Sequence, residues 1–186
     1  MLNIILCGCN GKMGETLVTL INDMENAQVI AGVDASKTKK YNFPVYKSFD
    51  ECNTQGDVII DFSHFSVIPS LLKYATKAST PVVICTTGID EILVNNIEET
   101  AKNIPIFRSG NMSLGINILI DLARKAAKVL NNDFDIEIVE RHHNRKLDAP
   151  SGTAYMIATE INDELDNSKE FNYGRYGRDA KRKENE

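Results

Sequence analysis

The sequence has no run approaching 18 apolar residues, so it offers no helix that would cross a membrane. Its four cysteines, Cys7, Cys9, Cys52 and Cys85, form no CxxC pair and no cysteine–histidine spacing suited to zinc. They read as small buried side chains of a reduced, cytoplasmic protein. The opening Met1-Leu2-Asn3-Ile4-Ile5-Leu6-Cys7 lacks the basic start and long apolar centre of a signal peptide. Positive charge is not in excess either. The net charge of −5 argues against a general nucleic-acid binder, while leaving room for a local basic patch. There is no internal repeat. What the chain does have is 186 residues, 42% of them hydrophobic, enough to bury a core without disulfides or metals. That length suits one domain, or one domain with part of another.

Short apolar runs alternate with helical patterns over the first two thirds. Leu2–Cys7 reads as a buried strand, and apolar residues at 13, 17, 20, 21 and 24 mark one face of a following helix. Val29–Val33 and Asp57–Asp61 predict further strands, separated by a poorly patterned stretch around Pro44. Val67, Ile68, Leu71, Leu72 and Ala75 then repeat at helical spacing, with Pro69 early enough in the helix to be tolerated. Pro81–Cys85 predicts a strand, Ile92–Ala101 a helix and Ile104–Phe107 a short strand. This rhythm implies a doubly wound parallel sheet with right-handed crossovers. After Gly110 it changes. Leu114–Leu130 predicts a long helix, Asp135–Arg141 alternates like a strand of a second sheet, and residues from Ala154 to Leu165 mark a last helix. From Gly177 to the last residue no apolar pattern remains.

Gly8-Cys9-Asn10-Gly11-Lys12-Met13-Gly14 follows the first strand and opens the first helix. Glycine there lets the chain turn sharply and lets a pyrophosphate approach the main chain, where a helix start offers N–H groups. Asp34 closes the second strand, 20 residues after Gly14, where an acid accepts hydrogen bonds from a ribose diol. A carboxylate there disfavours a 2′-phosphate, although Ser36, Lys37, Lys39 and Lys40 lie close enough to soften that preference. The same glycines also suit a tight turn built for packing alone. Two further loops, Cys85-Thr86-Thr87-Gly88 and Ser109-Gly110-Asn111-Met112-Ser113, follow strand ends, where a doubly wound sheet binds its ligand. By themselves they are equally ordinary turns.

Two of the three histidines, His142 and His143, stand beside Arg141, Arg145 and Lys146 in an otherwise acidic protein. Histidine donates a proton near neutral pH, and lysine donates one or holds a carboxylate. Pro150-Ser151-Gly152-Thr153 then precedes a helix whose N–H groups suit a second carboxylate. The segment describes either a dicarboxylate pocket or a solvated basic loop before a capped helix. A metal site is disfavoured, since adjacent histidines on a strand point to opposite faces.

The string E-R-H-H-N-R-K-L-D-A-P-S-G-T-A, residues 140–154, resembles the dihydrodipicolinate reductase signature E-x-H-H-x-x-K-x-D-A-P-S-G-T-A. G-C-N-G-K-M-G, D-F-S, C-T-T-G and N-M-S-L-G-I-N follow that family's order and spacing, with Cys85 where glycine is usual. The resemblance implies a Rossmann-like dinucleotide-binding domain over residues 1–110 and an α+β substrate and oligomerisation domain over 111–186. It implies a hydride passed from NADH or NADPH to a cyclic unsaturated dicarboxylate, 4-hydroxy-tetrahydrodipicolinate, giving tetrahydrodipicolinate on the diaminopimelate route to lysine. His142 and Lys146 would be the acid–base pair. His143, Gly152 and Thr153 would bind substrate. Gly8, Cys9, Asn10, Gly11, Lys12, Met13, Asp34, Cys85, Thr86, Thr87, Ser109, Gly110, Asn111 and Met112 would bind the dinucleotide. No metal, nucleic acid or membrane is implied, and the family forms homotetramers. It also continues with further strands of the second sheet, so the second domain is expected to be C-terminally truncated. The alternatives are another two-domain dehydrogenase of a small acid, or a nucleotide-binding module inactivated by truncation.

Overall fold

A computed structural model describes the chain except for residues 37–40, 145, 147, 148 and 184. The chain divides into two compact units, Met1–Ser109 and Gly110–Glu186. The first unit contains β1 (Leu2–Cys7), α1 (Lys12–Asn22), β2 (Ala27–Val33), β3 (Val45–Tyr46), β4 (Val58–Asp61), a 3₁₀ turn (Phe65–Val67), α2 (Ile68–Ala78), β5 (Val82–Ile84), α3 (Glu91–Ala101) and β6 (Ile106–Arg108). All strand pairings are parallel, in the order β3-β2-β1-β4-β5-β6. The chain thus winds outward from β1 in both directions, which is the topology of a doubly wound sheet.

Two cores follow from the two-residue period of β1. Ile5 and Cys7 join Ile59, Val82 and Ile84 in a core that includes Ile68, Leu71, Leu72 and Ala75 of α2 and Ile97 of α3. Ile4 and Leu6 belong to a second cluster with Val18 and Ile21 of α1. Helices therefore cover both faces, which is why β1 reads as a continuous apolar run rather than an alternating one. Each fully buried isoleucine or leucine contributes about 1.5–3 kcal/mol relative to exposure.

Two details differ from the sequence pattern. In α1 the buried positions are Gly14, Val18 and Ile21, whereas Met13 and Leu20, and Met24 just beyond the helix, are exposed. A Cβ on Gly14 would lie 2.2 Å from the Gly8 carbonyl oxygen, so the helix approaches the preceding turn at this glycine and is rotated to bury it. The unpatterned stretch around Pro44 also hides β3, which pairs Val45 with Gly32 and Tyr46 with Val33. Two residues are too few to show a period.

In the second unit α4 (Leu114–Leu130) packs against α5 (Gly152–Glu164). Ile120 and Ala127 are buried on one helix, Ala154 and Ile161 on the other. Arg124 donates to Glu164 at 2.9 and 3.2 Å and to Glu160 at 3.3 Å, while Lys128 reaches Glu164 at 2.6 Å. The strand expected over residues 135–141 does not form. Its alternation is real, but no ladder partner lies alongside it among the described residues. Side-chain ion pairs hold it instead. Glu137 Oε1 accepts from Arg175 at 2.8 Å and Arg182 at 2.7 Å, and Asp135 pairs with Arg182 at 3.1 Å.

Candidate active site

In the first unit the candidate residues collect at the C-terminal ends of β1, β2, β5 and β6. Gly8 has φ +77°, and a Cβ there would meet the Phe62 carbonyl oxygen at 2.5 Å. Only glycine meets both demands. The turn is bonded to its neighbours by Gly8 N–H to Val33 O at 2.9 Å and Gly11 N–H to Gly8 O at 3.1 Å. Helix α1 then starts at Gly11 with no side-chain cap, unlike α3, α4 and α5, which Asp90, Ser113 and Ser151 cap. Gly11, Lys12 and Met13 are exposed there. An uncapped, exposed helix start beside a cradle too tight for any Cβ is what a pyrophosphate requires.

Asp34 follows β2 directly. Its Oδ2 accepts the Asn10 N–H at 2.9 Å, and its Oδ1 accepts the Ser36 N–H at 2.9 Å and hydroxyl at 2.7 Å. The Asn10 amide Nδ2 donates to the Ser36 carbonyl at 2.5 Å, while its Oδ1 is buried without a donor among the described residues. Asp34 therefore faces the glycine turn, as a ribose acceptor should. Cys9, by contrast, is fully buried. Its carbonyl takes the Tyr41 hydroxyl at 2.8 Å, and its thiol packs on Gly32. It supports the turn from behind. Lys37, Lys39 and Lys40 lie outside the described residues.

The loop after β5 divides its side chains. Thr86 is buried and donates its hydroxyl to Asp61 Oδ2 at 2.7 Å, whereas Thr87 and Gly88 are exposed. Cys85 is buried as well. Burial, reinforced by Asp61, pushes its thiol up to about 11, so at neutral pH it stays protonated and inert. Ser109 donates its N–H to Ile84 O at 3.1 Å at the end of β6.

In the second unit Asn111 and Thr153 come together, with Asn111 Nδ2 donating to Thr153 Oγ1 at 2.9 Å. Gly110 and Met112 are exposed beside Asn111. Ser151 is buried and caps α5, its Oγ accepting the Ala154 N–H at 3.0 Å. Gly152 and Thr153 occupy the first turn, where N–H groups have no intrahelical acceptor. Glu140, which pattern reading passed over, accepts the Ser151 N–H at 2.8 Å and lies 3.6 Å from His142 Nδ1. Ser151 first, then His142 and Lys146, hold the Glu140 carboxyl below its ordinary value. His142 and His143 are exposed, and the Lys146 N–H donates to the His143 carbonyl at 3.2 Å. Arg145 lies outside the described residues. Among the described residues no three acidic, histidine or cysteine groups converge as metal ligands, and no helix is long and apolar enough to cross a membrane.

A parallel 3-2-1-4-5-6 sheet with a glycine turn after β1 is the Rossmann-like nucleotide-binding fold found in NADH- and NADPH-dependent oxidoreductases. The chain belongs to the dihydrodipicolinate reductase family, whose N-terminal model matches residues 2–112 and whose C-terminal model matches residues 115–186. A 4-hydroxy-tetrahydrodipicolinate reductase of Caldanaerobacter subterraneus subsp. tengcongensis is 53% identical over 186 residues, all of this chain and 73% of that protein. One from Clostridium tetani is 46% identical over 186 residues, all of this chain and 72% of that protein. Among solved structures, the dipicolinate-bound dihydrodipicolinate reductase of Paenisporosarcina sp. TG-14 superposes with a TM-score of 0.73 at 25% identity. That alignment covers 95% of this chain and 71% of the other.

Proposed function

We propose that the chain reduces 4-hydroxy-tetrahydrodipicolinate to tetrahydrodipicolinate, a step toward diaminopimelate and lysine. Replacing the 4-hydroxyl by hydrogen consumes, in net terms, one hydride and one proton and releases water. The dinucleotide supplies the hydride when bound. The protein must then hold two carboxylates, orient the ring and deliver the proton. The observation that carries this reading is the juxtaposition at the start of α5. There the Ser151 cap and the Glu140 carboxylate anchor a first turn, Gly152-Thr153, directly after a segment bearing Arg141, His142, His143 and Lys146. Helix N–H groups and basic side chains are the two natural partners of a dicarboxylate.

In this reading His142 and Lys146 handle the proton, with Lys146 also able to hold a carboxylate as a point charge. His143, Gly152 and Thr153 bind the substrate, the last steadied by Asn111. The main chain from Gly8 to Met13 holds the pyrophosphate, and Asp34 takes the ribose diol. Residues 85–87 and 109–112 line the nicotinamide end, with Cys9 and Thr86 serving through the backbone they position. Residues 1–110 form the dinucleotide domain and 111–186 the substrate and oligomerisation domain. The protein works as a homotetramer in the cytoplasm. Exposed Leu122 and Val129 on α4 support association, and four free cysteines suit a reducing compartment.

The test is to generate the substrate in situ and follow NADH absorbance. Substrate-dependent NADH oxidation is expected. NADH binding without turnover would replace this reading with that of an inactive nucleotide-binding module.

A further inference from the structure

Asp61 is the one acidic or basic residue with no exposed surface among the described residues. No cation pairs with it there. Burying a carboxyl group is costly unless hydrogen bonds replace those it loses to water. Its place in the sheet points to a use beyond stability. It ends β4, in register with Cys7 of β1 and Ile84 of β5, at the point where the two halves of the sheet diverge. Ligands of doubly wound sheets bind outside this edge.

Its bonds go to two separate loops. Oδ2 accepts the Thr86 hydroxyl at 2.7 Å, and Oδ1 accepts the Ser63 hydroxyl at 2.5 Å and N–H at 3.2 Å. Its own carbonyl accepts the Cys85 N–H at 2.9 Å. Burial and Asp61 together hold the neighbouring Cys7 and Cys85 thiols in the protonated state. One carboxylate thus joins the chain after β4 to the chain after β5. Beyond that knot, Thr87 and Gly88 are exposed, with Gly88 at φ +72°.

We propose that Asp61 is a positioning residue for hydride transfer. Acting through Thr86 and Ser63, it fixes the main chain of residues 62–64 and 85–88 against which the reduced nicotinamide ring lies. This rests on the dinucleotide occupying the C-terminal edge of the sheet. Asp61 itself touches no reacting atom. The Thr86 hydroxyl is committed to Asp61, so it serves the ring indirectly.

The experiment compares two probes, NADH and ADP-ribose, which share the adenosine and pyrophosphate but differ in the nicotinamide. In Thr86→Val and Asp61→Asn, NADH binding should weaken about tenfold and lose its nicotinamide fluorescence enhancement. ADP-ribose binding should stay within twofold of wild type, and Thr86→Ser should restore NADH binding. Thr86→Val keeps the test open if Asp61→Asn does not fold. Equal loss for both probes would make the network a general structural support and overturn the assignment. Unchanged NADH binding and fluorescence would overturn it too. Failure of the wild-type chain to bind either probe would instead remove the cofactor reading itself, and this assignment with it.

Discussion

The Asp34 carboxylate accepts the backbone N–H of Asn10 at 2.9 Å, bonding the end of β2 to the turn after β1. The same side chain thus has one duty to the fold and, under the proposed function, a second to a ribose. Its removal should carry two costs. Loss of the turn's anchor weakens NADH and NADPH alike, whereas loss of the diol acceptor weakens only NADH, since NADPH carries a phosphate at the 2′ position. Asp34→Ala should therefore weaken NADH by about tenfold or more, the worth of one charge-assisted hydrogen bond, and NADPH by less. Titration of both cofactors measures the difference, and equal losses would leave Asp34 with the structural duty alone.

His142→Gln and Lys146→Ala address the chemistry. A positioned proton donor contributes about 10²–10⁴-fold in rate, and turnover should fall by that order while NADH affinity holds. Steady-state rates alongside cofactor titration separate the two quantities. Turnover like that of wild type in both variants would return residues 141–146 to a solvated basic loop.

Gly14→Ala tests the close approach of α1. In an exposed helix this change stabilises by up to about 1 kcal/mol. Here the new Cβ would lie 2.2 Å from Gly8 O and 2.6 Å from Cys9 Cα, both main-chain atoms that cannot swing aside. Overpacking of this kind costs about 1–3 kcal/mol or more, so the sign should reverse. Urea denaturation should give a lower midpoint with an unchanged slope.

Glu140 sets an acid-side dependence. Its folded carboxyl is harder to protonate than an unfolded one, chiefly because Ser151 bonds to it and then because His142 and Lys146 lie near. A lowered carboxyl pKa contributes stability that is full above about pH 4.3 and fades as the pH falls through the folded value. Glu140→Gln should lower Tm at neutral pH, and the gap from wild type should close below about pH 4. A gap independent of pH would mean that the carboxylate charge is not what anchors the start of α5.

Much of this protein was legible from residue order alone because its strongest signals are local. A buried parallel strand must be apolar throughout, a glycine turn must lie next to the strand it ends, and a capped helix start such as that of α5 declares itself by its cap. Leu2–Cys7, the turn at Gly8–Gly14 and the start of α5 at Gly152 all depend on neighbours a few residues away, and they fold where the pattern puts them. Tertiary structure decided what depends on distant partners. The rotation of α1 follows from contact between Gly14 and Gly8, not from its apolar period. The extended segment 135–141 becomes a strand only if another pairs with it, and here Arg175 and Arg182 hold it through side chains instead. Asp61 ends an apolar run as an ordinary acid. Its bond to Ser63, two residues on, is local, but its bond to Thr86, 25 residues on, follows from β4 and β5 lying side by side, because a hydrogen bond is set by proximity in space, which sequence distance does not measure.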